Sequence, residues 1–153
     1  MLAKLKQLLD EGHVAYSPIV HHLAYTAQEV AAAEHIPGRE HAKVIMIKAG
    51  EGFLLAVLPA PRKVDLAKLS GVLPSKPIRL AEEAEFSPLF PDCEPGAMPP
   101  FGHLFGLSVI VDTELENDEH IVFQAGSHAE SVRMRYADFK RLANPRIADI
   151  AVT

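Results

Sequence analysis

The chain has 153 residues, 48% of them hydrophobic and 23% charged. That is enough for one domain with a real core, and no apolar run approaches the roughly 20 residues that a membrane-spanning helix needs. A net charge of −5 counts against sequence-blind gripping of DNA or long RNA, which leans on many lysine and arginine contacts to phosphate, and the single cysteine, Cys93, excludes an internal disulfide and a cysteine-built zinc site and fits a reducing cytoplasm.

In chain order, MLAKLKQLLDEG has the apolar spacing of a short amphipathic helix, and VAYSPIVHH reads as a strand. TAQEVAAAEHIPG reads as a helix whose Thr26 and Glu29 form a capping box and whose end is set by Pro37 and Gly38. AKVIMIKAGEGFLLAVLPA is a hairpin signal, two apolar runs joined by Gly50-Glu51-Gly52. Strands so continuously apolar are expected to be buried on both faces in the middle of a sheet. VDLAKLSG and LAEEAEFSPLF follow as short helices flanking a strand at PIRL. LFGLSVIVDTEL, HIVFQAGS and SVRM are expected strands, YADFKRLA a closing helix, and RIADIAV a terminal strand or extended tail. No repeat or low-complexity linker divides residues 1–153, and the irregular mixture of strands and helices favours an α+β domain.

Several residues are candidates for chemistry. Lys43 stands at the head of the first hairpin strand, where partial desolvation aims an ammonium at an anion; on sequence alone, a solvated strand-end lysine is the reading that prevails. Gly126, Ser127 and His128 follow an apolar strand, and adjacency does not make the serine and histidine a catalytic pair, because neighbours on an extended chain point to opposite faces. A plain hairpin turn is the simpler account. The eight histidines show no recognised ligand spacing, so no metal is expected. EPGAMPPFGHLFG, residues 94 to 106, is the most unusual stretch. Pro95, Pro99 and Pro100 cannot join a sheet ladder, while Gly96 and Gly102 permit turns around Ala97 and Met98. Physics alone leaves this loop balanced between a stiff connection and a preset binding loop.

AKVIMIK, GAMPPFG and AGSHAESVRM, in this order and spacing, resemble the motifs of the YbaK family, the prolyl-tRNA-synthetase editing-domain-like proteins. The resemblance runs from about YSPIVHHLAYTAQEVA to YADFKRLANP. It implies an α+β fold with a central mixed, strongly twisted, barrel-like sheet and flanking helices. It also implies a trans-editing hydrolase that cleaves the ester joining a wrong amino acid to the tRNA acceptor end, and Ala97 and Met98, with Phe101 beside them, suggest a snug site for a small side chain such as that of alanine, serine or threonine. On this resemblance Lys43 matches the family lysine, and Gly96, Ala97, Met98, Pro99 and Pro100 match a Gly-x-x-x-Pro loop whose backbone holds the aminoacyl group. Gly126, Ser127, His128 and His21 match further substrate-binding positions. No cofactor is implied, a synthetase partner is compatible with the acidic charge, and Phe101 to Gly106 is expected simply to lead the chain back into the sheet. A non-enzymatic module that binds an aminoacyl-like ligand or a synthetase is the alternative.

Overall fold

The computed structural model describes residues 1–20 and 38–153. The helix expected after Thr26, with its capping box, and His21 lie outside the described residues. Helix α1 spans Ala3–Glu11 and buries Leu5 and Leu9, four residues apart on one face. Strand β1 is Tyr16–Val20, and the expected hairpin forms from β2 (Ala42–Ala49) and β3 (Gly52–Pro59). Helix α2 (Leu66–Val72) begins at Asp65, whose carboxylate accepts from the amides of Ala67 and Lys68, satisfying two of the orphan donors of the first turn. Strand β4 (Ile78–Leu80) and the one-turn helix α3 (Glu83–Phe86) precede the proline-rich loop. Then come β5 (Ser108–Asp112), β6 (His120–Gln124), β7 (Glu130–Arg135), helix α4 (Tyr136–Ala143) and β8 (Arg146–Ala148).

These strands make two sheets. One is antiparallel with order β1-β7-β6, and the other is mixed with order β4-β2-β3-β5-β8. β3, β5 and β8 run parallel in the second, while β2 is antiparallel to both β3 and β4. The single barrel-like sheet expected from the family resemblance is therefore not formed by the described strands. Among the described residues the two sheets are linked only by an isolated bridge from His41 to Val122, too little of a ladder to close the described strands into one barrel. The long strand expected from LFGLSVIVDTEL is also shorter than its apolar run. 3-10 turns at Gly102–Phe105 and Thr113–Asn117 bracket β5, the second begun by the Asp112 carboxylate accepting from the Glu114 amide.

The hairpin is buried on both faces. Along β3, Leu55 and Val57 enter one core with Ala42 and Met46 of β2, α1, the antiparallel sheet and α4. Leu54, Ala56 and Leu58 enter a second core with Ile47 and Ala49, Leu69 of α2 and Ile150 near the carboxyl end. The period-2 alternation of a strand divides one continuous apolar run between two cores. The terminal segment is held by Asp112, which is 2% exposed and accepts from the amides of Ile150 and Ala151.

Candidate active site

The proline-rich loop is tied to the turn between β6 and β7. Glu94 donates its amide to the Gly126 carbonyl at 2.8 Å, and Gly126 donates back to the Ala97 carbonyl at 2.9 Å. Within the loop the Ala97 amide closes a turn onto the Glu94 carbonyl. Both pivots need glycine: φ is +84° at Gly96 and +105° at Gly126, a region that costs side-chain-bearing residues of order 1 kcal/mol or more. At Gly126 a Cβ would also stand 3.1 Å from the Cβ of Leu2, whose own amide donates to Ala125.

His128 clamps the same junction. Its amide donates to the Glu94 carboxylate at 3.3 Å, and its ring Nε2 lies 2.8 Å from the Pro95 carbonyl oxygen. A carbonyl only accepts, so Nε2 carries the hydrogen, and Nδ1 is left to accept from the Gln124 side-chain amide at 3.3 Å. These two partners select Nε2 as the donating nitrogen of the ring. The Ser127 hydroxyl accepts from the Ala129 amide at 3.1 Å.

The side chains of Ala97, Met98, Pro99 and Pro100 are buried, Ala97 fully and Met98 with 2% exposure. Met98 and Phe101 belong to the first core, so what this stretch can offer a ligand is its main chain. The amide groups of Gly96 and Met98 have no hydrogen-bond acceptor among the described residues. The following segment does more than return the chain to the sheet, as sequence reasoning expected. Phe101 packs edge-on against Phe123 and Phe139 at 5.4 and 5.3 Å between ring centres. Gly102 lies so close to the next turn that a Cβ would meet the Leu107 carbonyl oxygen at 2.4 Å.

Lys43 is paired with Leu58 across the hairpin and is half-buried. Burial first, and the nearby Lys63 charge second, push its ammonium below the usual lysine range. An anion brought beside it would offset both effects. Alternation along β2 sets it on the face of Ile47 and Ala49, opposite the face on which Ala42 and Met46 share a core with Met98. The structure therefore joins Gly96 and Ala97 to Gly126 and His128, while no hydrogen bond connects Lys43 to either group among the described residues. Cys93 is half-buried and burial raises its thiol, the opposite of an activated nucleophile. Sequence reasoning missed Glu94 and Gln124 as parts of the clamp. Glu94 stood in the quoted stretch, but its partner lies 34 residues away.

The model of the aminoacyl-tRNA editing domain matches residues 21–142, which include Lys43, the proline-rich loop and the clamped turn. The chain belongs to the aminoacyl-tRNA editing domain family. It is 28% identical over 155 residues to the multifunctional Ser/Thr-tRNA deacylase ProXp-y of Escherichia coli K12, covering 98% of this chain and 92% of that protein. It is 35% identical over 77 residues to the proline–tRNA ligase of Thiobacillus denitrificans, half of this chain and 13% of the ligase. Its fold matches a crystal structure described as a candidate trans-editing enzyme for prolyl tRNA synthetase, with a TM-score of 0.84, 20% identity and coverage of 98% and 96% of the two chains. The editing domain is accordingly an ester hydrolase of the aminoacyl-tRNA deacylase class. No helix among its described residues is long and apolar enough to cross a membrane.

Proposed function

We propose that the protein acts in the cytoplasm as a freestanding trans-editing deacylase, releasing a wrongly attached small amino acid, of the serine, threonine or alanine class, from a tRNA acceptor end. The observation that carries this reading is the family match across the lysine, the loop and the turn together. The name of the Escherichia coli relative favours serine and threonine.

In this reading the clamped loop presents the Gly96 and Met98 amides to the aminoacyl carbonyl. Water adds to the carbonyl carbon, negative charge develops on its oxygen, and the preset amides stabilise that oxyanion without reorganising. Collapse of the intermediate breaks the bond to the ribose oxygen, which leaves as a hydroxyl of the tRNA end after taking a proton, the neighbouring ribose hydroxyl assisting. Lys43 supplies a positive charge to an anion of the substrate, either this oxyanion or the terminal phosphate. Gly126, Ser127, His128 and His21 complete the substrate-binding set, with His128 holding the loop. A small footprint on the acceptor end, or help from a synthetase, reconciles RNA binding with the acidic charge.

The test is a deacylation panel of tRNAs charged with serine, threonine, alanine and their cognate amino acids. Wild-type protein is expected to release serine or threonine from mischarged tRNA, and Lys43→Ala to lose about 10²–10³ of that rate, as for removal of one charge-stabilising group, at a near-unchanged melting temperature. Full activity in Lys43→Ala would remove the lysine from the mechanism. Release of no amino acid by the wild type would sink the substrate assignment.

A further inference from the structure

A cavity of about 640 Å³ lies at the opposite end of the mixed sheet, within the range of roughly 300–1,000 Å³ typical of small-molecule sites. It opens where the parallel strands begin, and Gly52 of β3, Ser108 of β5 and Arg146 of β8 all stand in its wall. Lys43 sits across from Leu58, six residues further along β3, or about 20 Å at the rise of an extended strand. Nothing in the editing mechanism uses this cavity.

Its charge is unlike that of the molecule. The chain carries 20 acidic against 15 basic residues, yet among the described residues the wall holds Lys76 and Arg146 and no carboxylate. A third cation stands beside it, the Lys48 ammonium 4.4 Å from the centre of the Phe53 ring, and Phe53 is itself a wall residue. Positive charge gathered at an apolar cleft focuses the field on an entering anion. Arg146 presents a planar fork that suits phosphate oxygens bidentately, and Lys76 a point charge. The rings of Phe53 and His103 offer surfaces for a flat heterocycle, and Ser108 and Asn144 add hydrogen-bonding groups.

We propose that this cavity binds a nucleoside 5′-monophosphate, the base against Phe53 and His103 and the phosphate at Lys76 and Arg146. The nucleotide arrives either free or as one unit of an RNA strand, and the recognised chemistry is the same. This site goes beyond the deacylation reading and does not depend on it, because occupancy is measured without turnover.

Calorimetric titration of the wild-type protein with AMP at low salt is expected to show one saturable site, with adenosine at least about tenfold weaker for want of the phosphate. The double variant Lys76→Ala/Arg146→Ala changes two exposed side chains and is expected to weaken AMP at least about tenfold with its melting temperature kept. Ser108→Trp, which fills the cavity and removes no charge, is expected to do the same. Labelled uncharged tRNA separates the two sources. Competition between AMP and tRNA assigns the site to an RNA unit, and AMP bound while tRNA binding is unaffected assigns it to a free nucleotide; either supports the proposal. No saturable AMP binding, adenosine binding as tightly as AMP, or unchanged AMP affinity in both variants overturns it.

Discussion

At the scale of single residues, His128 turns two glycine-dependent bends into one rigid junction. Each of its three polar contacts is to a group 4 to 34 residues away, and two of them hold the proline-rich loop. Partly exposed hydrogen bonds such as the two made by the ring contribute about 0.5–1.5 kcal/mol each. Their larger effect is on geometry, since a displacement of about 1 Å in a positioning element costs up to about 10² in rate. His128→Ala is therefore expected to lower kcat/KM for deacylation by about ten- to a hundredfold while stability falls by only about 1–2 kcal/mol. Single-turnover rates and thermal melts check this, and wild-type turnover in the variant would mean that the loop holds its shape without the clamp.

At the scale of elements, β4 and α3 are tied by a bidentate ion pair. Arg79 donates to both Glu85 carboxylate oxygens at 2.7 Å, and Glu85 also accepts from the Glu82 amide in a capping box. The Arg79 hydrogen bond first, and the Glu82 amide second, hold the Glu85 carboxyl down at about 2. A carboxyl depressed on folding stabilises the folded state above its unfolded pKa, near 4.5, and that contribution fades as pH falls towards about 2. The pair is solvent-exposed and its share of the total small. Melting temperature is expected to decline less between pH 4.5 and pH 2 in Glu85→Gln than in the wild type; parallel pH profiles would show that the pair contributes nothing to stability.

At the scale of the molecule, Phe101 joins the loop to both layers of the first core. It is fully buried between Phe123 of β6 and Phe139 of α4, so the proline-rich loop is a structural keystone. Truncating a buried phenylalanine costs about 3–5 kcal/mol. For a domain of this size each kcal/mol corresponds to about 2–4 °C, so Phe101→Ala is expected to melt roughly 6–20 °C lower. A loss under about 2 °C would mean that the aromatic cluster tolerates the cavity.

Much was legible in the residues because it depends on local physics. Gly50, at φ +61°, turns the hairpin where the sequence places its break, and YADFKRLA buries Tyr136, Phe139 and Ala143 at helical spacing. The family was legible too, since three motifs in order carry more information than any one. Other features depended on which distant surfaces meet. An apolar run such as FLLAVLP says that a strand is buried and cannot say that alternate residues feed different cores, nor that the two sheets share one isolated bridge. Composition likewise shows a net acidic chain, while the gathering of Lys76 and Arg146 in one cavity follows from where β4 and β8 are placed. The sequence by itself determined most of the described elements and the family, because propensity, turn chemistry and motif spacing act over a few residues. Only the tertiary structure decided that the proline-rich loop is locked to Gly126 and His128, with the side chains of Ala97, Met98, Pro99 and Pro100 buried, because those contacts join segments some thirty residues apart.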